Sequence, residues 1–322
     1  MEQFRNSRAA FESMTQRISS ATLNTYWDYD TPRLPTKYER RSELRFISGQ
    51  ADDLLSGSGR KTNTHAIFFH APLGFVDRSL NRSADRDFKG LDNLLNTWGY
   101  FVEFSSDEAK RPSFITNAIA PPQFRFRLME FMQTADQTSV YGFTSGLTGG
   151  NKPTPKTEAY TKTTWFSDGV EDTNANAPVH VLADNVIALV ITPRLARDEE
   201  RGHSNYSTSD PDFSPLAKNY TYDSTKSASD PSLNPKHQLP PLVEITMVAI
   251  DEPSAIRLGL TTNADEIFKL SGKFNDTKKF DEDMREDPNS LEKTLVKMKV
   301  SYRIFNSKIA LKGGKWSREQ AN

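Results

Sequence analysis

Over its first turns the chain repeats small and apolar side chains at helical spacing. Phe4, Ser7, Ala10, Phe11, Met14, Ile18 and Ala21 share one side, while Glu2, Arg5, Arg8, Glu12 and Gln16 share the other. The pattern predicts an amphipathic helix whose stripe is narrower than the face of an ordinary core helix. Phe4, Phe11, Met14 and Ile18 are therefore expected to divide between two tasks. The Ile18 end should pack on the chain's own domain, and the Phe4 end should be left for neighbouring subunits.

Beyond this helix the period changes to two. Strands are predicted at ELRFIS around Phe46, HAIFFHA around Phe68, WGYFVEF around Val102, FRFRLMEFM around Leu128, YTKTTWF around Thr163, NVIALVIT around Leu189, VEITMVAI around Met247 and KVSYRIFNSKIAL around Ile304. Phe124, Phe126 and Leu128 alternate with Arg125, Arg127 and Met129, as in an antiparallel strand with one wetter face. LDNLLN around Leu94 and SLEKTLVKM around Leu295 read as short helices. The tract 28–41, DYDTPRLPTKYERR, holds two prolines and reads as an extended crossing segment.

Residues 198–238 are polar and rich in Ser, Asp, Asn and Pro, and they lie between two strong strand patterns. They read as a surface loop joining neighbouring strands. Closure entropy grows slowly with length, so a short turn in their place is expected to cost little stability. The polar tracts 142–155 and 168–178 read the same way. The expected fold class is α+β: a long N-terminal amphipathic helix over 1–27, packed on a mainly antiparallel β-sheet domain over 28–322 with long surface loops.

Composition narrows the function classes. With 322 residues, 36% hydrophobic and 26% charged, the chain can bury a sizeable core, and its 20 Phe and 10 Tyr supply one. A formal net charge of -1 removes the long-range field of a nucleic-acid binder. The chain has no cysteine, which excludes thiolate catalysis, cysteine zinc sites and disulfides together. No apolar run is long enough to span a membrane.

The candidate chemistry is sparse. His65 and His70 lie five apart on one predicted strand, hence on opposite faces, which opposes a shared metal. The acidic run DEDMREDPNSLE places Asp281, Asp283 and Glu292 at the first, third and twelfth positions of a calcium loop. Arg285 then occupies a ligand position, and Glu286 stands where the sharp turn needs glycine. SGSGRKT at 56–62 departs from a phosphate loop, because Leu54 replaces a glycine and Arg60 separates Gly59 from Lys61. GFTSG at 142–146 misplaces Ser145 for a nucleophile elbow. Asp28 with Asp30, and Asp251 with Glu252, read as solvated caps. No catalytic residue, metal or cofactor is assigned, and the expectation is a protein that is not an enzyme.

Several phrases in order carry a resemblance: EQFRNSRAAFESMTQRISSATLNTYWDYD, LDNLLNTWGYFVEF, FRFRLMEFMQ, LADNVIALVITPR, QLPPLVEITMVAIDE and SYRIFNSKIALKGGKW. Together, from Phe4 to Trp316, they resemble Verru_Chthon cassette protein C, a prepilin-type family similar in layout to the minor pseudopilin J of type II secretion systems. The resemblance implies a helical stem whose first half anchors in the inner membrane, followed by an exported β domain on the periplasmic side or outside. The partners it implies are other pilin-like subunits, with no nucleic acid. The family's processing site, its adjoining glutamate and its apolar half-stem do not precede Phe4 here, so an upstream anchoring segment is expected in the native protein.

The function expected on these grounds is that of a pseudopilin-like structural subunit of a cell-envelope filament or secretion apparatus. Two other classes stay open. A secreted carbohydrate-binding or glycoside-hydrolase module would need exposed aromatics, which Tyr26, Trp27, Tyr29, Tyr220 and Tyr222 are placed to supply. A phage or capsid structural protein would also be rich in strands and loops.

Overall fold

Three antiparallel sheets organise the chain in its computed structural model, which describes residues 4–29, 34, 36–74, 94–108, 114, 121–134, 164–171, 177–203, 213–262 and 266–316. The largest sheet has six strands in the order β7-β6-β5-β4-β3-β9: Val179–Asp184, Phe124–Gln133, Leu95–Ser106, Thr62–Pro72, Phe46–Gln50 and Tyr222–Asp223. A second has three, β11-β10-β8, comprising Tyr302–Ala310, Leu242–Ile250 and Val186–Arg194. A small hairpin pairs β1 (Tyr26–Tyr29) with β2 (Tyr38–Arg41). The strands are accompanied by helices α1 (Arg5–Ser19), α2 (Ala51–Leu54), α3 (Thr164–Val170), α4 (Arg197–Arg201), α5 (Glu252–Leu258) and α6 (Leu291–Lys297), with short 3-10 or π turns at Pro231–Leu233, Thr277–Lys279 and Glu282–Glu286.

The expected fold class needs correction. Among the described residues strand predominates, 35% against 25% helix, and the N-terminal helix is not a long stem packed on a sheet. α1 has 15 residues. Its end has a local cause: the Ser19 and Ser20 hydroxyls donate back to the Gln16 carbonyl at 2.6 and 3.4 Å, competing with the next helical turn. The chain then leaves the helix, and Thr22 N–H donates to His70 O across to β4 at 2.9 Å.

α1 lies where the two larger sheets meet, touching β10 and β11 of one and β4 and β7 of the other. Seven of the sequence-predicted strands form, and SLEKTLVKM forms α6. YTKTTWF does not. From Thr164 it is α3, because Trp165 and Phe166 cover the sheet from above: Phe166 stacks on Phe68 at 3.8 Å and Trp165 on His70 at 4.7 Å. Gly99 makes room for this cluster, since a Cβ there would lie 2.2 Å from the Phe68 ring. The end of LDNLLN is strand rather than helix, with Leu95 paired to Pro72. The tract 28–41 is not a crossing segment, because its described ends are the two paired strands of the small hairpin.

NVIALVIT and VEITMVAI are neighbours as expected, β8 against β10. The tract between them is more than a surface loop. Tyr222 opens β9 on the edge of the six-stranded sheet, and Phe213, Tyr220, Tyr222 and Leu239 are buried. The Tyr222 hydroxyl donates to Gln238 O at 2.8 Å. Polar residues dominate its composition, but widely spaced aromatics fasten it to the core.

β8 has β10 as its strand partner on one edge. Its other edge meets side chains of β4, where a bulge between Asn63 and Ala66 shifts the register. Thr64 sits there at φ 55, a left-handed conformation unfavourable for a β-branched residue. In return, Leu189 N–H donates to Thr64 Oγ1 at 2.9 Å and Ile191 N–H to His65 Nδ1 at 2.9 Å, while Asn63 Nδ2 donates to Ile187 O at 3.2 Å. An unpaired buried N–H costs about 1–3 kcal/mol, so three consecutive side chains form a seam between the sheets that offsets the strain at Thr64.

Candidate functional site

α1 places the expected stripe in sequence along the sheet junction. Met14 and Ile18 are fully buried, and Phe11 is buried with its ring 5.7 Å from Phe305 of β11. Phe4, just before the first turn, is half-buried. At the other end Arg17 reaches across the six-stranded sheet. Its guanidinium lies 4.5 Å over the Trp98 ring, pairs with Glu130, and donates to Tyr100 Oη at 3.4 Å. Tyr100 Oη also donates to Glu130 at 3.1 Å, and burial pushes its hydroxyl above the usual range. Sequence reasoning missed this pin, because Arg17 belongs to the polar side of the helix and nothing local ties it to Glu130.

The small hairpin gathers four of the exposed aromatics among the described residues, Tyr26, Trp27, Tyr29 and Tyr38. The pairs Trp27 with Arg40 and Tyr29 with Tyr38 stand directly across from each other, so these four side chains share one face. Trp27 is 53% exposed, Tyr29 46% and Tyr38 59%. The Tyr29 and Tyr38 rings lie 4.4 Å apart, and Tyr38 Oη donates to Tyr29 Oη at 2.7 Å. That bond raises the Tyr38 hydroxyl's pKa. Arg40 lies 5.5 Å over the Trp27 ring and donates to Gln238 Oε1 at 2.7 Å and to Lys315 O at 3.4 Å.

The opposite face carries Tyr26, Asp28, Glu39 and Arg41. Tyr26 Oη donates to Glu43, and this bond, followed by burial, raises its pKa to about 12. Of the aromatics expected on a binding face, Tyr26, Trp27 and Tyr29 are exposed here, whereas Tyr220 and Tyr222 are buried. Tyr220 packs on His65 at 4.6 Å and Tyr222 edge-on to Phe46 at 5.7 Å. Tyr38 and Arg40 replace them. The alternation of Trp27 and Tyr29, answered by Tyr38 and Arg40, was the available signal.

The remaining candidates serve the fold. His65 and His70 are both fully buried. His65 accepts from Ile191 N–H at Nδ1, which leaves its proton on Nε2 to donate to Phe274 O at 2.9 Å. Burial lowers each imidazole to a pKa of about 4. Asp281, Asp283 and Glu292 do not converge. Asp281 pairs with Arg285 at 3.5 Å, Asp283 accepts from Phe274 N–H at 2.8 Å, and Glu292 lies in the first turn of α6. Among the described residues no group of three His, Cys, Asp or Glu is placed to hold a metal ion.

In the glycine-rich turn, Arg60 pairs with Glu103 at 2.5 Å and Lys61 donates to Thr262 O at 2.9 Å, so both bases are committed within the protein. Asp251 caps α5 by accepting from Ser254 N–H at 3.0 Å, and Glu252 pairs with Arg125 at 2.9 Å. Asp30 and the tract 142–155 lie outside the described residues. Comparison with known protein families, with curated proteins and with solved structures returned no match.

Proposed function

We propose that the chain is a pseudopilin-like structural subunit of a cell-envelope assembly, working by contact with other subunits rather than by catalysis. In this reading the protein is exported and held at the inner membrane through sequence upstream of Phe4. The observation that carries the proposal is the lie of α1: a leading amphipathic helix is pinned at Arg17 and buried along its stripe from Ser7 to Ile18, while Phe4, packed against the edge of the core, stays half-buried at the sheet junction. Such a helix fixes the orientation of the β domain relative to whatever precedes it and offers its first turn to a neighbour. The ordered resemblance from Phe4 to Trp316 supports the same reading.

The test uses the complete native gene in its own host, with a photo-crosslinking residue at Phe4 and a matched one at Met14. Sedimentation with membranes and Phe4 adducts to pilin-like subunits, with none from buried Met14, are the expected outcome. A protein confined to the cytoplasmic supernatant, without Phe4 adducts, would overturn the proposal.

A further inference from the structure

The hairpin face of Trp27, Tyr29, Tyr38 and Arg40 has no role in the contact proposed for α1, and its dimensions say what it can hold. A Trp or Tyr side chain buries about 150–250 Å² when fully covered, so three rings each roughly half exposed offer on the order of 300 Å². A stable protein pair needs about 800 Å² per partner. The described face is therefore small for a protein and well sized for a flat ligand of a few rings.

The rings are already ordered. The two tyrosines stack and share a hydrogen bond, and Trp27 is backed by an Arg40 that is itself tied to Gln238 and Lys315. A ligand laid on them incurs little ordering entropy. With Tyr38 donating to it, the Tyr29 hydroxyl keeps its own proton available to a ligand oxygen.

A nucleic acid would stack equally well, but it also needs a basic groove to track its backbone. The strand positions of this face carry one cation, Arg40, and the whole chain has a net charge of -1. The chemistry left is a ring that is apolar on its flat side, hydroxylated at its rim and uncharged. We propose that this hairpin face binds a neutral hexopyranose polysaccharide, with sugar C–H faces stacked on Trp27 and Tyr38 and rim hydroxyls bonded by Tyr29 and Arg40. This site stands independently of the subunit reading.

Cellohexaose and chitohexaose, titrated while tryptophan emission and two-dimensional NMR are followed, serve as probes. One of them is expected to bind with a Kd of about 10⁻⁴ M and to perturb Trp27. Trp27→Ala and Tyr38→Ala should each weaken binding about tenfold or more with the melting temperature kept, and Trp27→Phe should retain most of it. Absence of binding by either probe up to about 10 mM would overturn the proposal. So would binding unchanged in both alanine variants. Concentration-dependent self-association abolished by Trp27→Ala would overturn it in favour of a second copy of the chain.

Discussion

Acidification from pH 7 to 5.5 is expected to loosen the fold through its buried imidazoles. His65 and His70 are fully buried, and desolvation holds each near a pKa of about 4, below the ordinary 6.5. Between those values the unfolded chain binds protons that the folded chain refuses. Stability is therefore complete above about pH 6.5 and falls as the pH drops towards 4. Over the stated interval each residue's contribution falls by about 1 kcal/mol, or about 2–3 kcal/mol for the pair. His237, also held near a pKa of about 4 by burial and then by Lys236, acts in the same direction. Burial raises the carboxyls of Glu200 and Asp283, which subtract from the slope.

Urea unfolding at both pH values measures the difference. Unfolding should also take up close to two protons at pH 5.5, about one for each imidazole, readable from calorimetry in buffers of different ionisation enthalpy. Stability flat to within about 0.5 kcal/mol would show that these imidazoles are not buried neutral, and the seam at His65 would have to be redrawn.

Gly99→Ala should lower stability by about 1–3 kcal/mol in urea melts, because its methyl enters the space of the Phe68 ring beneath α3. Ile18→Asp should prevent cooperative thermal unfolding, whereas Phe4→Asp should cost less than about 1 kcal/mol, since only Ile18 is sealed from water. Replacing 213–238 by a Gly/Ser turn should abolish the cooperative melt. Survival of that transition would show that Tyr220 and Tyr222 are dispensable packing.

Strands were legible where the alternation or apolar run was long. VIALVIT and ITMVAI, buried on both faces, could hardly sit anywhere but in the middle of a core. TTWF misled because Thr and aromatics favour strands locally, while the Phe68 ring that lies over Gly99 and receives Phe166 is a property of distant residues. The tract 198–238 misled for the opposite reason: its mean polarity hides three widely spaced aromatic anchors, Phe213, Tyr220 and Tyr222. The hairpin went unread because two prolines suggested an extended crossing, and the pairing of Trp27 with Arg40 spans them. The α1 stripe was readable from its spacing, but the pin at Glu130 lies more than a hundred residues away.

The bulge at Thr64 also bears on how the chain is made. β8 is a long uncharged run up to Thr192, the kind of strand that stacks on copies of itself when its edge is open. During synthesis from the N-terminus, Asn63, Thr64 and His65 leave the ribosome well before Leu189 and Ile191. The cap for that edge therefore exists before the edge does. A newly made β8 meets a local acceptor and donor set at high effective concentration, ahead of any encounter with another nascent chain.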